Sequence, residues 1–195
     1  MASGGGYLCG IVVGALVVAH ALWKRPGTWV LFVRLVAVAH IAIVTELALF
    51  PLPVDPALIA DFRAQEAGVD LIAVNVNLVP WVTIGPAVHR LVALGLGTPE
   101  SRTLIANFVL LMPLAWYGPI LWHRLRNILW FAVVAIGFSV AIELAQLAIT
   151  LGLGYSHATD VDDVIVNAGG ALVAFVVLWV ARRLTALRGR VRQPA

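Results

Sequence analysis

The sequence predicts an all-α fold, a polytopic membrane helical bundle of about five transmembrane helices plus an interfacial or re-entrant segment. Three observations lead there. Of 195 residues, 62% are hydrophobic and only 12% charged, with a mean hydropathy of +0.97, far more apolar surface than a soluble domain of this size carries, so the solvent is lipid. The apolar residues come in runs close to the roughly 20 residues a helix needs to cross a bilayer. No period-2 alternation runs through them, and a bilayer admits only helices or closed barrels because every backbone polar group must find an internal partner. Neither repeats nor low-complexity tracts nor a soluble domain interrupt the chain, so residues 1–195 read as a single membrane domain.

Taken in order, the predicted spans run from Tyr7 to Trp23, Trp29 to Phe50, Leu104 to Leu121, Leu129 to Leu151 and Val161 to Val180. Ala19-His20-Ala21 resembles a signal-peptidase site, but no basic n-region precedes it, so the first segment is expected to stay as a helix. After the second span, Pro51 to Pro56 opens a connection in which Asp55, Asp61, Glu66 and Asp70 alternate with Ala and Leu, the pattern of a short surface helix. Leu71 to Gly97 is apolar but broken by Asn75, Asn77, Pro80, Gly85, Pro86, His89 and Arg90. Irregular backbone at membrane depth persists only where protein or water covers it. This segment is therefore expected to fold over the helices and line an outer cavity with Trp81 as an interface plug, the alternative being a sixth span.

The cations set the orientation. With five spans, Lys24, Arg25, Arg124, Arg126, Arg182, Arg183, Arg188, Arg190 and Arg192 fall on one side, whereas the opposite loops hold Arg63, Arg90 and Arg102; Arg34 lies one turn inside its span and can snorkel. The positive-inside rule then puts the N-terminus outside and the C-terminus in the cytoplasm of a multi-pass inner (plasma) membrane protein. A sequence pI near 9.6 could suggest nucleic acid, but the arginines that raise it directly follow an apolar span, as membrane anchors do, so lipid and not nucleic acid is the expected partner. Cys9 is the one cysteine and makes no intramolecular disulfide.

Ionisable groups inside a span cost several kcal/mol unless paired, neutral or wet, which makes them functional candidates. Ser139, Glu143, Gln146 and Thr150 share one helical face, and Asp160, Asp163, Asn167 and Gly170 follow the same spacing on the next helix. A short loop joins the two helices, so they are antiparallel neighbours whose stripes can face one another. Glu143 and Asp163 are expected to form a coupled pair sharing one proton, an arrangement suited to general acid–base chemistry or to a polar head group. The bland alternative is that Ser139, Gln146 and Asn167 only join helices and Asp160 only caps one. His20 and His40 read as satisfied core histidines, the tryptophans at span ends as interface belts, and Gly169-Gly170 as close helix packing. Gly-rich phosphate loops and Cys–His metal spacings are absent, and Asp160, Asp162 and Asp163 lack an evident fourth ligand, so no metal or cofactor is assigned.

Glu143-Leu144-Ala145-Gln146, followed by His157-Ala158-Thr159-Asp160-Val161-Asp162-Asp163 and Asn167-Ala168-Gly169-Gly170, resembles the signature of the VanZ-like membrane proteins. Asn77-Leu78-Val79-Pro80-Trp81 is similar to that family's Asn-Leu-Ile-Pro-Phe segment, and Asn107 to Leu114 to the opening of its next helix. The pieces cover residues 75 to 175 in the family's order. His157 stands where the family usually has an arginine, a larger and permanently charged anion clamp. The resemblance implies a cell-envelope role, the family being named for an accessory factor in teicoplanin resistance, and brings Asn77 and Asn107 to the site. The candidate set is then Glu143, Asp163, Asp160 and His157 for chemistry, with Gln146, Asn167, Asn107 and Asn77 for binding. Three functions follow from it: action at the outer leaflet on an amphiphilic molecule, such as a lipid-linked envelope precursor or lipidated antibiotic; acid–base catalysis on an apolar metabolite by a hydrolase, cyclase or isomerase; or a structural, partner-binding role.

Overall fold

A computed structural model describes residues 27–50, 52, 55–154 and 158–191. Four helical stretches within it are long and apolar enough to cross a membrane: Thr28–Leu49, Pro99–Leu121, Ile128–Leu153 and Val161–Ala186. They correspond to the last four predicted spans; Tyr7 to Trp23 lies outside the described residues. Helix α1 (Thr28–Leu49) leads to a surface helix α2 (Pro56–Gln65) and a short α3 (Leu71–Asn75), then to a two-residue strand β1 (Val76–Asn77) and helix α4 (Ile84–Leu94). The third span consists of α5 (Pro99–Leu110) and α6 (Leu114–Leu121), the fourth is α7 (Ile128–Leu153), and strand β2 (Thr159–Asp160) opens α8 (Val161–Val191).

Helix starts follow local chemistry. Asp55, Asp70, Thr98 and Asn127 each accept a hydrogen bond from an N–H of the first turn of α2, α3, α5 and α7, and Pro56 and Pro99 occupy first-turn positions where no N–H is needed. Gly154 ends α7 at φ 68°, the left-handed cap that glycine adopts without a Cβ penalty. Arg63 of α2 lies against this turn and donates to the Gly152 carbonyl, which pins the surface helix to the end of α7.

The third span is not the single rod that its hydropathy predicts. Pro113 carries no N–H, so the helical ladder breaks into turns, with Met112 bonding to Val109 and Leu114 to Leu111. The Leu110 carbonyl thereby loses its i+4 partner, and His40 of α1 supplies one: its Nε2 donates to Leu110 O at 2.8 Å while its Nδ1 accepts from the Tyr117 hydroxyl at 3.0 Å. His40 is a satisfied core histidine, as its place in an apolar span implies. Val33, Leu111, Phe131 and Ala171 form the dry centre of the bundle.

Helices α7 and α8 pack along their length, and α8 packs equally closely on α5. That second contact depends on Gly170. A Cβ there would sit 1.7 Å from the Phe108 carbonyl oxygen, so the two backbones touch directly.

Residues 71–97 do not form a sixth span. They cross the bundle end where α1 and α7 finish and α5 and α8 begin. Strand β1 pairs in parallel with β2, Val76 opposite Thr159 and Asn77 opposite Asp160, which ties the irregular segment to the first residues of α8.

Candidate functional site

The site is built where the irregular segment of residues 71–97, a strap across the bundle end, meets β2 and the start of α8. Asp160 is buried and holds three elements together. Its Oδ1 accepts from the Asn77 side chain at 3.1 Å and from the Asp162 N–H at 2.9 Å, and its own N–H donates to Glu143 Oε2 at 3.0 Å. The capping role considered for Asp160 is therefore present, and so is a link to Glu143, which is only 5% exposed in the middle of α7. Glu143 thus reaches β2 through the backbone of Asp160. It makes no direct hydrogen bond to Asp163. Asp163 turns to the other neighbour, with Oδ1 accepting from Asn107 Nδ2 of α5 at 2.6 Å.

Asp162 is the residue that sequence reasoning left out of the site. It is wholly buried and accepts four hydrogen bonds from the strap: the N–H groups of Trp81, Thr83 and Ile84 at 2.6, 2.8 and 3.1 Å, and the Thr83 hydroxyl at 2.8 Å. The N–H groups of Thr83 and Ile84 are orphan donors at the start of α4, where a carboxylate also complements the helix dipole. Trp81 has φ 72°, a left-handed conformation that a bulky residue adopts only when its surroundings impose it. The bond to Asp162 is that constraint. The one clue in the sequence was negative: Asp162 falls off the spacing that joins Asp160 to Asp163, so it had to point elsewhere.

Between strap, α5 and α8 lies a cavity of ≈ 440 Å³. Asp160 and Asp163 contribute its charged wall, Ile84, Leu104 and Val166 much of its apolar wall, and Arg90 and Glu100, paired with each other, a further edge. Trp81 does not plug it. That side chain is 65% exposed and borders an adjoining groove.

The predicted stripes divide among three neighbours. Asn167 does face α7, donating to Ser139 Oγ at 3.1 Å, an interhelical bond in the core. Gln146 turns instead to α1 and donates to the Ala48 carbonyl at 2.9 Å, so it stands apart from the carboxylates. Asn77 and Asn107 each bind an aspartate, while His157 lies outside the described residues. Among the described residues, no three His, Cys, Asp or Glu side chains converge with metal-site geometry.

A family model described as VanZ/LLP1 matches residues 36–182 of the chain. No curated protein and no solved structure matches it.

Proposed function

The chain belongs to the VanZ/LLP1 family, and from that membership together with the geometry of the strap we propose that it is a multi-pass inner-membrane protein acting at the outer leaflet on an amphiphilic cell-envelope molecule. A lipid-linked precursor and a lipidated glycopeptide antibiotic of the teicoplanin type both fit that description. The observation that carries the reading is the cavity beside Asp160 and Asp163, lined in part by a strap on which the apolar side chains of Leu78, Val79, Trp81 and Val82 stand exposed. Apolar side chains exposed beside a polar chamber suit a membrane–water boundary, where an amphiphile presents its head group.

In this reading Asp160 and Asp163 touch the head group, and Asn77 and Asn107 orient them by donating to one oxygen each. Glu143 acts through the Asp160 backbone as a positioning residue, and Asp162 holds the strap that closes the chamber. The outward orientation of this end follows from the cation distribution.

A second reading is an acid–base enzyme working on an apolar metabolite, favoured by the carboxylates of Glu143, Asp160 and Asp163, of which the two aspartates each accept from an asparagine amide.

Expression in a teicoplanin-susceptible host tests the first reading. The parent chain should raise the inhibitory concentration of teicoplanin more than that of a glycopeptide lacking an acyl chain, and Asp163→Asn should abolish the rise while the protein still inserts. An unchanged concentration with the parent would remove the antibiotic arm. Full effect in both Asp163→Asn and Glu143→Gln would mean that the polar stripes only hold helices together.

A further inference from the structure

The chamber does not end at its apolar wall. A groove of ≈ 360 Å³ runs beside it along α5 and α8, lined by Trp81, Phe108, Ile165 and Gly169, and shares Ile84, Leu104 and Val166 with the chamber. The two spaces are therefore adjoining parts of one surface, one acidic and one almost wholly apolar.

Gly169 makes the groove passable. A Cβ at that position would meet nothing within 4 Å, so the missing side chain leaves open space, whereas Gly170 next to it is needed for backbone contact. Trp81 forms another edge and is held in place by the Asp162 carboxylate.

The chamber's charge decides what head group fits. Its described cation, Arg90, is already paired with Glu100. Asp160 and Asp163 each use one oxygen for protein donors and leave the other without a partner among the described residues. The wall is therefore rich in acceptors, with two carboxylate oxygens left for a ligand's donors. An ammonium group brings three donors and a positive charge, whereas a phosphate brings acceptors and negative charge.

We infer that this end of the molecule is a bipartite site for an amphiphile with an amine-bearing, cationic head: the head enters the Asp160–Asp163 chamber and one hydrocarbon chain lies in the groove over Gly169. The inference rests on the outer-leaflet reading above and narrows it to amine-bearing rather than purely phosphate-bearing ligands.

Dodecylamine and dodecyl phosphate, each with a diazirine at the chain end, provide the test when photolysed with the full chain in phosphatidylcholine nanodiscs. The amine probe should label peptides carrying Trp81, Phe108 and Ile165 saturably, and the phosphate probe about tenfold less, the equivalent of ~1.4 kcal/mol in binding. Gly169→Phe should remove most of the amine labelling, with Gly169→Val answering the same question if the larger ring prevents insertion. The double variant Asp160→Asn, Asp163→Asn should bring the two probes level while the groove is still labelled. Equal labelling of the parent by both probes would overturn the head-group assignment, and parental labelling of the Gly169 variants would overturn the groove. Non-saturable labelling spread around the whole apolar belt would instead remove the amphiphile site itself, and with it the reading on which this inference rests.

Discussion

Gly169 and Gly170 are neighbours on α8, yet they lack side chains for opposite reasons. At Gly170 a Cβ would sit 1.7 Å from Phe108 O and 2.7 Å from its carbonyl carbon; both are backbone atoms, so neither can move aside without separating α5 from α8. Gly170→Ala should therefore destabilise the protein by about 3 kcal/mol or more, the upper end of overpacking effects, and thermal unfolding in detergent would show it. Gly169→Ala adds a methyl group into open space and gains helix propensity of about 1 kcal/mol, so its melting temperature should match or exceed the parent's. Both glycines read in the sequence as close helix packing, which holds for Gly170 but not for Gly169, and the doublet alone carried no sign of which one touched a backbone. Asp162 is the harder case. Replacing it by Asn turns an acceptor of four donors into a group with its own N–H donors, and on the order of 3 kcal/mol should be lost from the strap. The sign is that protease cleavage between Pro80 and Pro86 should appear in Asp162→Asn well before global unfolding does.

Helices were readable as elements because length and hydropathy suffice to identify a span, and their caps are short-range signals at Asp55, Thr98 and Asn127. Facing directions were not readable to the same degree. Gln146 shares a stripe with Glu143 but answers to α1, since a helix with three neighbours divides a polar face among them. The break at Leu111 to Pro113 had its signal in Pro113, but the repair by His40 comes from a residue 70 positions away from Leu110, a distance no local pattern spans. The strap is intermediate: Asn75, Asn77 and Pro80 marked it as irregular, while its pairing with β2 is a tertiary fact. That pairing gives a direct test. Val76 and Thr159 are register partners, and adjacent strands lie about 4.8 Å apart, within the Cα separation a disulfide accepts. Val76→Cys with Thr159→Cys, in a Cys9→Ala background, should form a disulfide under mild oxidation, whereas Val74→Cys with Thr159→Cys should form little. Equal crosslinking of both pairs would mean that the strap has no fixed register.

Over the whole molecule, charge is divided between the two ends of the bundle. The strap end carries Asp55, Asp61, Glu66, Asp70, Glu100, Asp160, Asp162 and Asp163 with only Arg63, Arg90 and Arg102 among its arginines, whereas the other end carries Arg124, Arg126, Arg182 and Arg183 and no described carboxylate. The asymmetry was visible in the sequence once the spans were placed, and the fold adds where the chemistry sits: every candidate carboxylate belongs to the cation-poor end. Because the positive-inside rule counts Lys and Arg near span ends, that end should face outward, and with it the Asp160–Asp163 chamber. A cysteine at Glu66, half-buried just past the end of the surface helix, should then react with a membrane-impermeant maleimide in intact cells, while a cysteine at Arg126 should react only after permeabilisation. The order matters for function as well as topology. An acidic chamber facing the cytoplasm would meet metabolites and inner-leaflet lipids, while the same chamber facing outward meets envelope precursors and extracellular antibiotics. Labelling of position 126 but not 66 in intact cells would therefore invert the membrane orientation and withdraw the outer-leaflet ligand class together.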